Sequence, residues 1–381
     1  FFVMFYFFNI YYNGDQMKLT KLYIITITFL LLLGNLMIYS SSMIWAEYIT
    51  GNRYYYLIRQ LIFTAISIIL FIISLKFDYN ILKKHANKIL IITIILLILV
   101  LIPHIGIYKN GARSWIGINE LSFQPSEIAK IAMIIFTAKY LSKNEGAFQK
   151  EKNLFLYLIV LLLIFGLIML EPDFGSGFIL TLTILIMMFK DLVKIRYLVL
   201  GLILAAIGII VLIITSSYRL DRITSYLNPW SDPLGSGFQG IQSLYAISPS
   251  GLFGHGLFKS HQKFYFLPEP QTDFIFAIII EELGLIGGLI VIIAFLIIIT
   301  IGYMGSMKCE DVFAKNILFG FTSLIFVQAF INMGVVTGLL PVTGVTLPFL
   351  SYGGSSLITT MAMMGVNLNI LKSKAILPHF N

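Results

Sequence analysis

A short polar segment with two prolines runs directly into a long apolar stretch in the C-terminal third of the chain. Pro270 disfavours helix upstream, so a helix is predicted to begin at Thr272 or Asp273. Asp273 is therefore expected at the mouth of a membrane helix, with Glu281 and Glu282 about two turns further in. An ionised side chain inside a bilayer costs about 2.5–3.5 kcal/mol, so three acids on one span require an explanation.

Two interpretations of Asp273 follow from this position. As a favoured N-cap residue, its side chain would satisfy the first backbone N–H groups of the helix. As a carboxylate at the membrane surface, it would instead carry out chemistry on a lipid headgroup. The two interpretations differ for Asp273→Asn, because Asn caps a helix as well as Asp does but cannot accept a proton.

The composition indicates the class of protein in which these acids lie. Of the 381 residues, 58% are hydrophobic and only 12% are charged, and long apolar runs recur along the whole chain. This pattern predicts an all-α polytopic membrane protein, because β-barrel strands would alternate apolar and polar residues. The net charge of +8 reflects membrane topology rather than nucleic acid binding, and the single cysteine, Cys309, excludes an internal disulfide.

The apolar runs predict about ten transmembrane helices. They are 21–44, 57–75, 89–108, 125–141, 154–170, 174–190, 196–215, 272–302, 313–338 and 346–371. If the N-terminus is cytoplasmic, most of the 26 Lys and Arg residues lie on the cytoplasmic side, so both termini are predicted inside. One long extracytoplasmic loop, about 216–271, then lies outside. A segment of this length is either a mobile linker or a structured cap that lines a site, and its aromatic residues favour the cap.

The predicted domain organisation is simple. Met17 is followed by Lys and Leu and looks like a natural start, so residues 1–16 are interpreted as a non-native or upstream leader. Residues 17–381 are predicted to form a single membrane domain, because no soluble domain, internal repeat or low-complexity tract separates the spans.

A second group of polar residues precedes the fourth predicted span. Arg113 is either an arginine at the headgroup level or a guanidinium ligand for pyrophosphate. Trp115 is typical of an interfacial anchor. Glu127 and Lys130 are three residues apart at the start of a helix, so they are expected to pair on one face.

Three further groups of residues have more than one interpretation. Glu171 and Asp173 flank a proline between two spans, where they either shape a tight turn or hold a divalent ion with lipid phosphate. The uncharged segment 341–356 is expected to break a helix or to permit close helix packing. His255 and His261 have no third candidate ligand nearby, so no metal ligands are assigned.

Four segments in order resemble the SEDS family, the RodA/FtsW/SpoVE proteins, and the resemblance extends from about residue 20 over nearly the whole chain. These segments are 111–130, 237–256, 266–284 and 341–356. Residues 239–246 and 267–273 look more like the FtsW/SpoVE branch than the RodA branch. The resemblance implies a peptidoglycan glycosyltransferase that polymerises lipid II at the outer face of the bacterial cytoplasmic membrane, for division, sporulation or shape.

The resemblance also implies the site residues. Asp273 matches the essential acid of the family, and would be the base in an inverting transfer from a polyprenyl-pyrophosphate donor. The departing pyrophosphate requires Arg or Lys side chains or, as the alternative, a divalent cation such as Mg²⁺ or Mn²⁺; no other cofactor is expected. The residues expected to contact substrate are Arg113, Trp115, Gln124, Ser126, Glu127, Lys130, Gln239, Ser260, Lys263, Glu269 and Thr272.

The partners implied by the resemblance are lipid II, a class B penicillin-binding protein and other divisome or elongasome membrane proteins, with no nucleic acid. The alternative function is a lipid II flippase or another transporter of lipid-linked precursors, because intramembrane acids and interrupted helices also suit transport. The long outer segment and an acid at the outer surface favour the glycosyltransferase.

Overall fold

The computed structural model describes residues 16–109, 112–118, 121–143, 151–190, 224–264 and 266–373. Its long helices are α1 (Gln16–Thr50), α2 (Tyr55–Lys76), α3 (Tyr79–Leu101), α4 (Pro125–Lys143), α5 (Glu151–Leu170), α6 (Phe174–Lys190), α8 (Ile275–Lys308), α9 (Val312–Val336) and α10 (Gly354–Lys372). The long connection before α8 contains the short helix α7 (Phe238–Ile247) and two 3₁₀ turns, Pro229–Ser231 and Ser248–Ser250. Three strands, β1 (Gly106–Lys109), β2 (Ala112–Ile118) and β3 (Leu121–Phe123), form an antiparallel sheet in the order β1-β2-β3.

Nine of the ten predicted spans correspond to helices in the described part of the chain, and the predicted span 196–215 lies outside it. Six of the described helices are long and apolar enough to cross a membrane, and α6 is a shorter apolar helix. The predicted polytopic helical class is therefore confirmed, with the small sheet as an addition. Residues 1–15 also lie outside the described ranges, so the leader and the single-domain assignment stay predictions.

Two predicted helix boundaries are corrected. The span predicted at 89–108 is α3, which starts at Tyr79, directly after its cap residue Asp78, and ends at Leu101 before β1. The span predicted at 346–371 becomes helical only at Gly354. Pro348 lies in the preceding non-helical loop, as expected for a residue that cannot donate an N–H to a helix.

The helices pack around α9, which contacts α4, α6, α8 and α10. Helix α2 packs along α10, where two glycines allow a close approach. Gly354 faces the ring of Phe63, and Gly365 faces the backbone oxygen of Phe71. Helix α1 runs beside α2 and α8, so the first and last thirds of the chain share one bundle.

The described part of the long connection before α8 is a structured cap, as the aromatic content predicted. The Tyr226 hydroxyl donates to the backbone oxygen of Leu339 at 2.9 Å, and the buried Ser243 hydroxyl donates to that of Val336 at 2.8 Å. Helix α7 packs on both α8 and α9. The cap is therefore fixed to α8 and to the C-terminal end of α9.

Candidate active site

Helix α8 is interrupted at Gly284, whose φ of 71° and ψ of −172° lie outside the helical range. Part of the cap occupies the break. The backbone N–H groups of His255 and Gly256 donate, both at 2.9 Å, to the backbone oxygens of Glu281 and Glu282. These oxygens would otherwise accept the hydrogen bonds of the next helical turn.

The other side of the break is completed by the same cap segment. The N–H groups of Leu285 and Ile286 donate to the backbone oxygens of Gly251 and Leu252, at 3.0 and 3.2 Å. A Cβ atom on Gly284 would lie 2.2 Å from the Leu252 oxygen. Glycine is therefore required here, both by the positive φ and by the contact between the two backbones.

The side chains of the two intramembrane glutamates point to the same cap. Glu282 accepts hydrogen bonds from the Ser40 hydroxyl at 2.6 Å, from the Phe258 N–H at 3.0 Å and from Lys263 Nζ at 3.2 Å. Glu281 accepts from the Ser260 hydroxyl at 2.5 Å and from neighbouring backbone N–H groups. We call Ser40, Glu281, Glu282 and residues 251–263 the α8 clamp.

The clamp explains why acids are tolerated inside α8. Glu281, Glu282 and Lys263 are all buried, and every carboxylate oxygen of the pair of acids has at least one donor. Buried charges are retained only when they are paired and hydrogen-bonded in this way. Ser260 and Lys263 were predicted to contact substrate, and the structure instead places their polar atoms against these acids.

Asp273 lies in a different environment, two residues before the start of α8. The helix begins at Ile275, and its N-cap residue is Phe274 rather than Asp273. Asp273 therefore lies one position before the N-cap, and the capping and catalytic interpretations of its carboxylate are distinguished by the Asp273→Asn variant below. The side chain is half-buried, and Asn332 on α9 fixes its backbone by donating to the Asp273 backbone oxygen at 2.8 Å.

The 341–353 loop passes beside the Asp273 carboxylate. A Cβ atom on Gly344 would lie 3.6 Å from Asp273 Oδ2, so uncharged backbone borders this carboxylate. The same Asn332 amide donates at 2.7 Å to the backbone oxygen of Val345 and thereby ties the loop to the Asp273 segment. Asn332 was not predicted, although an amide in the apolar run of α9 was a signal for it.

A fourth carboxylate, that of Asp173, lies in the turn between α5 and α6. Its Oδ2 accepts from Gln124 Nε2 at 2.7 Å and from the Ser126 hydroxyl at 2.9 Å, and its Oδ1 accepts from the Ser176 N–H at 3.1 Å. The structure thus brings the predicted residues Gln124 and Ser126 together on an acid. These bonds support the interpretation of the 171–173 segment as a turn.

This turn and the Asp273 site share the 341–353 loop. A Cβ atom on Gly175 would lie 2.8 Å from the Thr343 backbone oxygen, so the turn packs directly on the loop backbone. One residue further along, Gly344 borders Asp273. The position of the α5–α6 turn therefore affects the backbone that lines the Asp273 carboxylate.

The residues of the second polar group, which precedes α4, lie against other parts of the protein. Lys130 and Glu127 form the expected ion pair at 2.8 Å, and both are buried. Arg113 donates to the backbone oxygen of Leu101 at 3.4 Å, at the end of α3. Trp115 lies half-buried on the same strand, β2.

The other predicted residues lie in the cap and at its junction with α8. The Thr272 hydroxyl donates at 2.9 Å to the backbone oxygen of Glu269. The Glu269 side chain is exposed and lies four positions before Asp273. Gln239 is half-buried in the first turn of α7.

Sequence reasoning missed a basic residue linked to this segment. The Arg59 guanidinium lies 4.2 Å from the centre of the Tyr55 ring and hydrogen-bonds with the side chain of Tyr352. The Tyr352 N–H donates at 2.8 Å to the backbone oxygen of Gln271, two residues before Asp273. An arginine in the first turns of an otherwise apolar span was the available signal.

Together these features define a polytopic membrane protein with a carboxylate site beside a structured cap. A family model described as "Cell cycle protein", that of FtsW, RodA and SpoVE, matches residues 20–376. The chain belongs to this family, as the four segments predicted.

Relatives and solved structures agree with this membership. The stage V sporulation protein E of Bacillus subtilis (strain 168) is 45% identical over 92% of this chain and 96% of its own length. A probable peptidoglycan glycosyltransferase FtsW of Geobacter sp. (strain M18) is 38% identical over 88% of this chain and 92% of its own. A chain of a solved peptidoglycan synthase complex has a TM-score of 0.74 at 28% identity, over 92% of this chain and 96% of that one. The rod shape determining protein RodA of Thermus thermophilus has a TM-score of 0.68 at 25% identity, over 92% and 95%.

Proposed function

We propose that this chain is a peptidoglycan glycosyltransferase that polymerises lipid II into glycan strands, with Asp273 as its general base. Its family membership and the FtsW relatives named as probable peptidoglycan glycosyltransferases support the activity. The observation that carries the residue assignment is the position of Asp273. It is a half-buried carboxylate at the mouth of α8, one residue before the N-cap and beside the backbone of Gly344.

The proposed reaction is a single inverting displacement. A hydroxyl of the acceptor sugar attacks the anomeric carbon of the donor, and the bond from that carbon to the pyrophosphate oxygen breaks. The electron pair leaves with the polyprenyl pyrophosphate, and the hydroxyl proton moves to the Asp273 carboxylate. Because the pKa of a sugar hydroxyl is far above 7, a positioned base lowers the barrier, and no covalent intermediate is needed.

The leaving pyrophosphate requires positive charge. Arg113 was predicted for this role, and Arg59 is a second candidate because Tyr352 links it to the Asp273 segment. Lys263 is not proposed, since its ammonium is buried against Glu282. Among the described residues no three His, Cys, Asp or Glu side chains form a candidate metal site, so no step is assigned to a divalent cation.

We further propose that the site faces outside and that a class B penicillin-binding protein is the partner, together with other divisome or elongasome proteins. The Lys and Arg distribution supports the orientation. A chain of a peptidoglycan synthase complex that resembles this one supports a partner.

The orientation is tested by labelling with an impermeant thiol reagent in cells whose outer surface is accessible. Cys309 is buried, so the exposed positions Ser236 and Glu310 are used in a Cys309→Ala background. We expect Ser236→Cys to be labelled in intact cells and Glu310→Cys only after permeabilisation. The reverse pattern would contradict the topology.

The base assignment is tested by Asp273→Asn in the purified protein with its partner and lipid II. We expect the polymerisation rate to fall by about 10²–10⁴, because Asn cannot accept the proton. Insertion, partner binding and lipid II binding should be retained. Polymer yield within about threefold of wild type, at equal protein level, would reject Asp273 and direct attention to Glu269 or another acid.

A matched control is Asp78→Asn, because Asp78 does cap α3 through a hydrogen bond to the Asn80 N–H. Asn caps as well as Asp, so this variant should polymerise like wild type. A fluorescent lipid II translocation assay with the same two variants separates polymerisation from transport. Translocation without polymer in wild type would favour the transporter function instead.

A further inference from the structure

Glu171, the first residue after α5, is a buried acid that the proposed reaction does not use. None of its surface is exposed, and neither carboxyl oxygen has a hydrogen-bond partner within the described residues. Its backbone oxygen accepts a 3.0 Å hydrogen bond from the Ser114 hydroxyl, which fixes the turn against β2. A carboxylate without donors is far more costly to bury than a neutral carboxyl group.

The neighbouring acid determines which of the two groups is charged. Asp173 has three donors for its ionised form, whereas Glu171 has none among the described residues. Two carboxylates this close cannot both ionise cheaply in a buried turn. Burial and then the charge of Asp173 raise the pKa of Glu171 to about 9, so at neutral pH the turn holds one proton and one charge.

The charged groups on the elements around this turn are already engaged. On α4, Lys130 pairs with Glu127, and on β2, Arg113 donates to the end of α3. The 341–353 loop carries no charge of its own, and Asp273 lies beside it at Gly344. A bond to a backbone oxygen does not neutralise Arg113, but the charge that acts on the Glu171 carboxyl is that of Asp173, which disfavours its ionisation.

The turn is in contact with the backbone of the catalytic site. Gly175 packs on the Thr343 backbone oxygen, and Gly344 borders the Asp273 carboxylate. A second negative charge at Glu171 would repel Asp173 and disturb this contact. The protonation state of Glu171 is thereby coupled, through the loop, to the position of the base.

We propose that Glu171 is a positioning residue for Asp273. The neutral acid form of Glu171 keeps the α5–α6 turn in contact with residues 343–345, and ionisation of Glu171 breaks this contact. The catalytic part of this inference rests on the proposed function, because Asp273 must be the base. The contact between the turn and the loop does not depend on the role of Asp273. One measurement of activity and one of stability therefore distinguish failure of the catalytic coupling from failure of the contact.

The first measurement is the polymerisation rate of the full chain with its partner between pH 7 and pH 10.5. An acid with a pKa of about 9 is almost fully protonated at pH 8 and only about one-tenth protonated at pH 10. We expect the rate of wild type relative to Glu171→Gln, which is always neutral, to fall about tenfold between these values. At pH 7.5 the two rates should agree within about twofold.

The second measurement is the apparent thermal midpoint in detergent without substrate. The native pKa of Glu171 is raised above its ordinary value of 4.5, so its stabilising contribution is full at acidic pH. It is lost as pH rises towards the native pKa of about 9. The thermal midpoint of wild type should therefore fall relative to that of Glu171→Gln between pH 6 and pH 9. Above pH 9 the difference between the two midpoints should stay constant.

Two further variants make the outcome decisive. Glu171→Met is a second neutral side chain of similar length, and Glu310→Gln removes an exposed acid with the same chemical change. We expect Glu171→Met to follow Glu171→Gln, and Glu310→Gln to follow wild type. Identical pH profiles for wild type and both Glu171 variants, or loss of folding or activity at pH 7.5 in both neutral variants, would overturn the proposal. If Asp273→Asn proves active while the midpoints behave as expected, only the catalytic coupling fails.

Discussion

The acids of the α8 segment fall into two groups that one hydropathy profile does not separate. Asp273 is half-buried before the helix starts, and its backbone rather than its carboxylate is fixed by Asn332. Glu281 and Glu282 are fully buried, and donors from the cap and from Ser40 surround their carboxylates. The two groups therefore differ in their surroundings: the carboxylates of Glu281 and Glu282 are saturated by donors within the fold, whereas uncharged backbone at Gly344 borders the carboxylate of Asp273.

The largest effect on stability is expected from a substitution that breaks the α8 clamp. Glu282→Ala leaves Lys263 buried without its carboxylate, and removing one partner of a buried pair costs about 3–5 kcal/mol. We expect little folded protein and a strongly lowered thermal midpoint. The comparison variant is Asp273→Ala, which should leave the midpoint nearly unchanged while abolishing polymerisation. Equal midpoints for both variants would remove the distinction between the two groups of acids.

The next effect tests the break in α8. Gly284→Ala places a methyl group 2.2 Å from the Leu252 backbone oxygen at a φ of 71°, so we expect a loss of about 2–3 kcal/mol in unfolding free energy. The control is Gly240→Ala in α7, where a Cβ meets nothing within 4 Å. That variant should be neutral or slightly stabilising, because Ala is the better helix former. An unchanged unfolding free energy in Gly284→Ala would show that the cap does not contact the break in α8 in the membrane.

The smallest effect is expected from a substitution beside Asp273, the acid proposed to be catalytic. Asn332→Leu removes the amide that joins the Asp273 and Val345 backbones, so we expect turnover to fall about tenfold, or ~1.4 kcal/mol of barrier. The apparent affinity for lipid II should change less than the turnover. Gln328→Leu, also buried and one turn earlier on α9, is the matched control and should retain turnover. Equal rates for the two variants would show that Asn332 does not position the base.

Local patterns predicted the helices and the position of Asp273 because both follow from neighbouring residues. The apolar runs predict spans, and Pro270 limits where α8 can start. The sheet at β1–β3 was not predicted, since strands of three to seven residues carry little periodicity. Its presence changes the 109–124 connection from a simple loop into the surface that Glu171 meets.

The partners of the buried acids could not be predicted, because they are far apart in sequence. Ser40 and Glu282 are separated by 242 positions. Ser260 and Lys263 lie 21 and 19 positions from the glutamates that they contact, and their contact with substrate stays a prediction. A glycine-rich segment, 251–257, surrounds His255. What it provides is backbone that enters the break in α8, and no pattern within the segment itself specifies that contact.

The exchanged backbone bonds at the break have a consequence for amide hydrogen exchange. The N–H groups of Leu285 and Ile286 belong to a long helix, yet their acceptors, Gly251 and Leu252, belong to the cap. Departure of the cap would expose these two amides to exchange while the helical turns on either side stay protected. Their deuterium uptake in the resting protein, and again with a partner bound, would therefore record how often the cap lifts from the helix that carries the acids.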